Sequence, residues 1–115
     1  VRHTLKAGNG SYTPVFLSEL PLLFRKKVVL LDVVFIHVSP PDLHGYCSLG
    51  VSVEASIAAI ESAKKVVAQV NPNMPRTFGD GILHISKIDY LVEVDLPIHA
   101  HEVAPFTEAE EKIGK

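Results

Sequence analysis

An aspartate, a histidine and a cysteine fall within six positions of one another in the run SPPDLHGYC: Asp42, His44 and Cys47. A thiol beside an imidazole that a carboxylate orients is the composition of a nucleophilic centre. Triad partners usually come from separate chain segments, and one tight turn seldom gives them triad geometry. The stretch therefore reads first as a connector, with Gly45 and Gly50 supplying permissive backbone. A small hydrolase using Cys47 and His44 is held as the alternative.

A second cluster is His99-Ala100-His101-Glu102. Histidines two apart on an extended segment face the same side. That spacing suits zinc or copper, with Glu102, Asp95 or His84 as further ligands. Nothing here supplies the four ligands of a closed zinc site, so the segment reads as a solvated linker after Pro97 and no metal is expected. The third cluster runs from Gln69 to Asp80, QVNPNMPRTFGD. Amides at a strand end, then an arginine and a threonine, could hold a carboxylate or a thioester carbonyl, with Arg76 as the carboxylate clamp. The competing reading is a structural loop in which Arg76 pairs with a nearby acid such as Asp80. Phosphate-binding readings fail: Gly8-Asn9-Gly10 lacks the third glycine of a dinucleotide fingerprint, and Gly79-Asp80-Gly81 is a turn signal.

The elements that must position these residues follow from the apolar pattern. Val33 to Val38 is a nearly unbroken apolar run, which reads as a strand buried on both faces. Ser39-Pro40-Pro41-Asp42 stops it. Val53, Ile57 and Ile60 repeat at helical spacing, with Ser52 as N-cap, Glu54 in the first turn and Lys64 and Lys65 at the end. Val66 to Val70 is a second buried strand. Ile82 to Ile88 is ambiguous between strand and helix, and Tyr90 to Val94 is β-rich. Earlier, Tyr12 to Phe16 is β-friendly, and a helix runs roughly from Glu19 to Lys26 behind Ser18, with Pro21 limiting how early it settles. The order points to βαβ units and an α/β domain with a mainly parallel sheet and flanking helices. Both candidate loops then follow strand ends, where parallel α/β sheets place ligands.

The chain of 115 residues is long enough for one small domain with a real core. A net charge of -2 leaves no basic excess for tracking nucleic-acid phosphates. The longest apolar stretch, Val28 to Val38, contains Asp32 and His37 and falls short of the roughly 18 residues of a membrane span. One cysteine excludes a disulfide framework within the chain, and the expected setting is cytoplasmic. Thr107 and Glu110 form an S/T-x-x-E capping box. The helix it announces has only about eight residues before Lys115 and would be marginal in isolation. The expectation is a piece of a longer protein.

The segments SPPDLHGYCSLGVSVEAS (Ser39 to Ser56) and AQVNPNMPRTFGD (Ala68 to Asp80) resemble the acetyl-CoA hydrolase/transferase family, which includes the 4-hydroxybutyrate and acetate CoA-transferases. YTPVFLSELPLLF (Tyr12 to Phe24) and IDYLVEVD (Ile88 to Asp95) add to the likeness in the same order. The resemblance implies two similar α/β domains of the NagB/RpiA-like kind with an active site between them. It also implies a glutamate nucleophile in the second domain that passes through an anhydride to a glutamyl-CoA thioester. Residues 1–105 would be the later part of the first domain, and 106–115 the start of a connecting helix to a missing C-terminal catalytic domain. No glutamate here matches the nucleophile, so no catalytic residue is assigned. A non-catalytic module that binds CoA or a carboxylate is the remaining alternative. The resemblance places Asp42, His44, Gly45, Gln69, Asn71, Met74, Pro75, Arg76, Thr77 and Gly79 on a wall of the cleft. It makes an acyl-CoA and a small carboxylate the partners, with coenzyme A as substrate rather than cofactor. An apolar face meant for a missing half would favour self-association, so a homo-oligomer is kept open.

Overall fold

Three apolar runs become three parallel strands. The computed structural model describes residues 2–100 and 104–114. In chain order it holds α1 (Arg2–Lys6), a 3-10 turn (Leu17–Glu19), α2 (Leu20–Arg25), β1 (Val33–Val38), β2 (Tyr46–Ser48) and α3 (Ser56–Ser62). Then come β3 (Lys65–Val70), β4 (Ile82–His84), a second 3-10 turn (Ile85–Lys87), β5 (Tyr90–Glu93) and α4 (Glu108–Ile113). β3 lies between β1 and β5 and is parallel to both. β2 and β4 form a separate antiparallel pair. The architecture is α/β with a mostly parallel sheet and flanking helices.

One face of the large sheet is covered. Ile36, Val38, Val66, Ala68 and Val70 point into a core with Ile60 of α3, with Cys47 and Leu83 of the β2–β4 pair, and with Leu49 just after β2. Ile57 packs against its margin. The predicted stripe of Ile57 and Ile60 is therefore the buried face of the helix, while Val53 stays exposed ahead of it.

The helix boundaries differ from the sequence pattern. α3 starts at Ser56 rather than just after Ser52, because the backbone first turns: Ser52 N–H bonds the Leu49 carbonyl. The Ser56 hydroxyl then donates to the Ser52 carbonyl. Lys64 and Lys65 do not close the helix, for Ala63 is already extended and Lys65 opens β3. Tyr12 to Phe16 joins no strand among the described residues. Ile82 to Ile88 resolves into both of its readings, a short strand and then a single 3-10 turn. At the end of the chain the capping box forms as expected, with Thr107 and Glu110 bonding each other's backbone N–H.

Candidate functional site

Because β1, β3 and β5 run the same way, their C-terminal ends gather three loops at one edge of the sheet. These begin at Ser39, Asn71 and Val94. A groove of ≈ 390 Å³ opens over these ends, lined by Pro40, Pro41, Val70, Pro72, Glu93 and Asp95 among others. This is the edge of an open α/β sheet at which ligands bind.

Asp42 organises the first loop. Its Oδ1 accepts the backbone N–H groups of His44 and Tyr46, each at 2.9 Å, an Asx turn closed on a Pro-Pro-Asp start. Its Oδ2 accepts from Arg76 Nη2 at 2.7 Å, and Arg76 Nη1 donates to the Tyr46 carbonyl at 3.0 Å. The arginine therefore staples the second loop to the first. Its partner is Asp42 and not the nearby Asp80, and its fork is already filled by protein acceptors rather than held open as a carboxylate clamp. Locked in this frame, Leu43 is fully exposed and His44 is exposed beside it.

The Tyr46 N–H, then the His44 N–H and the Arg76 charge, hold the Asp42 carboxyl below its usual value. Since the folded value is depressed, its contribution is complete above the unfolded pKa. It is lost as pH falls through the lower folded value. Amide protection at His44 and Tyr46, measured by hydrogen exchange, is expected to collapse in that acid window. In Asp42→Asn the same amides should show no such step.

Ser48 anchors the second loop from below. Its buried Oγ accepts from Thr77 N–H at 3.0 Å and Gly50 N–H at 3.1 Å and donates to the Thr77 carbonyl at 3.0 Å. Thr77 Oγ1 in turn donates to the Gly50 carbonyl. Asn71, fully buried, ties the ends of β3 and β5. Its Nδ2 donates to the Leu96 carbonyl at 2.7 Å, and its Oδ1 accepts from Asn73 N–H. Asn73 also donates to Asp95.

The ten predicted wall residues thus divide. Asp42, His44, Gly45, Arg76 and Thr77 stand together on the stapled loops. Asn71 and Met74 are buried supports. Pro75 is exposed. Gln69 lines the sheet face beside His37 and Val67. Gly79 borders a different groove of ≈ 1100 Å³, with Phe78, Arg25 and Lys87. Tyr46, Ser48, Asn73 and Asp95 carry much of the framework and were not singled out for it by sequence. Only Asn71-Pro72-Asn73, a turn signal at a strand end, pointed toward one of them.

Cys47 is 0% exposed, turned into the core, and burial pushes its thiol pKa up. An activated thiolate needs the reverse, so the pairing with exposed His44 does not assemble a nucleophile. His101 and Glu102 lie outside the described residues. Among the described residues no group of three or more His, Cys, Asp or Glu is placed to hold a metal. His84 is engaged with Ser86 and stacks edge-on against Tyr46 at 5.0 Å. No described helix is long and apolar enough to cross a membrane.

Residues 1–106 match the family described as the acetyl-CoA hydrolase/transferase N-terminal domain. The chain is 47% identical over 114 residues to a succinyl-CoA:acetate/propanoyl-CoA:succinate CoA transferase of Fasciola hepatica, covering 99% of this chain and 24% of that one. It is 46% identical over 114 residues to a 4-hydroxybutyrate coenzyme A transferase of Clostridium kluyveri, covering 99% and 27%. Among solved structures, 4-hydroxybutyrate CoA-transferase from Porphyromonas gingivalis superposes with a TM-score of 0.74 at 39% identity, over 93% of this chain and 27% of that one. RipA from Yersinia pestis gives 0.81 at 32% identity, over 93% and 26%. The chain spans about a quarter of the length of the curated relatives it matches.

Proposed function

Because this chain belongs to the family of acetyl-CoA hydrolase/transferase N-terminal domains, we propose that it forms part of an enzyme that moves CoA between an acyl-CoA and a small carboxylic acid. The reading rests on the family match across residues 1–106. The geometry agrees with it: two loops stapled at the C-terminal ends of parallel strands make a stiff wall for a cleft, with Pro41, Leu43 and His44 facing outward.

In the proposed chemistry a glutamate outside these residues attacks the thioester carbonyl, which releases the CoA thiolate and leaves a mixed anhydride. The thiolate then attacks the glutamyl carbonyl and frees the first carboxylate, so that CoA rests on the enzyme as a thioester. An acceptor acid reverses the two steps. CoA is a substrate throughout, in the cytoplasm, and residues 1–105 serve as one domain's part of the wall.

The assignment predicts no transfer by the 115-residue chain alone. Incubation with acetyl-CoA and a radiolabelled carboxylate should yield no labelled acyl-CoA, while the intact natural gene product should turn over. With acetyl-CoA present, borohydride should reduce a glutamyl thioester to the alcohol, releasing CoA and inactivating the enzyme, only in that intact product. Robust transfer by the 115 residues alone would refute the assignment of the nucleophile elsewhere.

A further inference from the structure

A histidine caps the second 3-10 turn. His84 ends β4 and is the N-cap of Ile85–Lys87. That position is ordinarily filled by Ser, Thr, Asp or Asn, whose side-chain oxygen accepts from the turn. Here an imidazole nitrogen accepts instead. Nδ1 takes the Ser86 N–H at 3.2 Å and lies 2.9 Å from the Ser86 hydroxyl. A ring nitrogen that accepts a backbone N–H carries no proton, so the neutral ring holds its hydrogen on Nε2.

The same ring backs the loop ahead of β2. Tyr46 pairs with His84 in register and meets it edge-on at 5.0 Å. Gly45 is closer still: a Cβ built there would fall 2.9 Å from His84 Nε2. Ile85, the first residue of the capped turn, donates its N–H to the Gly45 carbonyl at 2.9 Å. The turn therefore holds from behind the loop that Asp42 and Arg76 close in front.

We propose that His84 is a proton-sensitive brace for the loop from Asp42 to Tyr46. A proton taken up at Nδ1 occupies the accepting lone pair and makes the ring a donor at both nitrogens. The Ser86 hydroxyl can rotate to accept from it. The Ser86 N–H cannot rotate, so it loses its acceptor and meets a donor. The turn loosens, and the Ile85 N–H loosens from Gly45 with it. The titratable and charged groups on the packed elements are Tyr46 of β2, Asp42 and His44 of the loop, Arg76 bonded to Asp42, and Lys87 on the turn. The proton on His84 then sets how firmly the loop that displays Leu43 and His44 is held. This brace does not depend on the acyl-transfer chemistry.

The intact natural gene product carries the test. After labelling with nitrogen-15 histidine, the His84 resonance, identified by its loss in His84→Asn, should show the Nε2–H tautomer at neutral pH. Hydrogen exchange at single residues, corrected for intrinsic rates, should show Ser86 and Ile85 losing protection about fivefold on acidification, the weight of one N-cap. The midpoint of that loss should track the titration of the His84 ring. His84→Asn supplies a capping oxygen that does not titrate and should abolish the step, while the separate acid step at the His44 and Tyr46 amides persists. His44→Gln removes the other imidazole of the loop and should keep the step. An Nδ1–H tautomer at neutral pH would overturn the proposal. So would protection at Ser86 or Ile85 that ignores the ring's titration, a step that survives His84→Asn, or one that vanishes in His44→Gln.

Discussion

Gly50→Ala is expected to lower stability by about 3 kcal/mol, the larger part from collision rather than from backbone strain. Gly50 sits at a φ of 59°, in the left-handed region. Holding alanine there costs about 1 kcal/mol. The added Cβ would also fall 2.7 Å from the Pro75 carbonyl oxygen and against the Met74 side chain. Met74 is buried, and the carbonyl is backbone, so neither yields cheaply. Overpacking of this kind costs about 1–3 kcal/mol more. Gly79→Ala supplies the comparison: its φ is 98°, but a Cβ there meets nothing within 4 Å. It should cost only the strain, about 1–2 kcal/mol. Urea denaturation of both variants separates the two contributions, and equal losses would show that contact with the 74–75 backbone is not what fixes Gly50. The functional consequence follows from position. Gly50 is where the segment after β2 touches the loop after β3, so a shift there moves the Arg76 staple with it.

The large sheet was legible because each of its strands contains a short run of consecutive apolar residues, Val33–Ile36, Val66–Ala68 and Tyr90–Val92, a signal contained within a few positions. The antiparallel pair of β2 and β4 was not. Tyr46–Ser48 is three residues long inside a Pro/Gly-rich stretch, and its partner Ile82–His84 lies 36 positions away. No local period announces such a pair. That omission hid the fate of Cys47: once Tyr46–Ser48 is a strand, alternation sends the Cys47 side chain opposite to Tyr46 and into the core. The same distance in sequence concealed the partner of Arg76. Asp80 was the acid nearest along the chain, but the sheet brings the ends of β1 and β3 together and makes Asp42 the acid nearest in space. The short helix at 56–62 failed in the other direction. Ser52 is a good N-cap by type, but the turn from Leu49 to Ser52 occupies its backbone and delays the first helical turn. Family likeness reached further than periodicity because it compares whole loops whose contacts are already implied. Still, it could not separate Asn71 and Met74, which are buried beneath the loops, from His44, which is exposed on them.

Ser48→Ala should be strongly destabilising, at about 2–4 kcal/mol. The hydroxyl is fully buried, and two backbone donors, Gly50 N–H and Thr77 N–H, depend on it. Alanine satisfies neither and leaves the Thr77 carbonyl without its donor. Each buried group stranded in this way costs about 1–3 kcal/mol, more than a hydrogen bond lost where water can enter. Thr77→Val is the milder control, because it removes Oγ1 while leaving both backbone N–H groups bonded to Ser48. It should cost about 1 kcal/mol. The double variant should cost less than the sum of the two, since the residues share one network. Hydrogen exchange adds the spatial readout. In Ser48→Ala the Thr77 amide should lose protection by about one and a half to three orders of magnitude, as a loss of about 1.4 kcal/mol per tenfold implies, while amides in the centre of β3 lose only what global destabilisation requires. If Thr77 stays protected and Ser48→Ala costs no more than Thr77→Val, the loop from 76 to 80 is held by the Arg76 staple alone. The loop would then hang from its exposed rim rather than rest on a buried post.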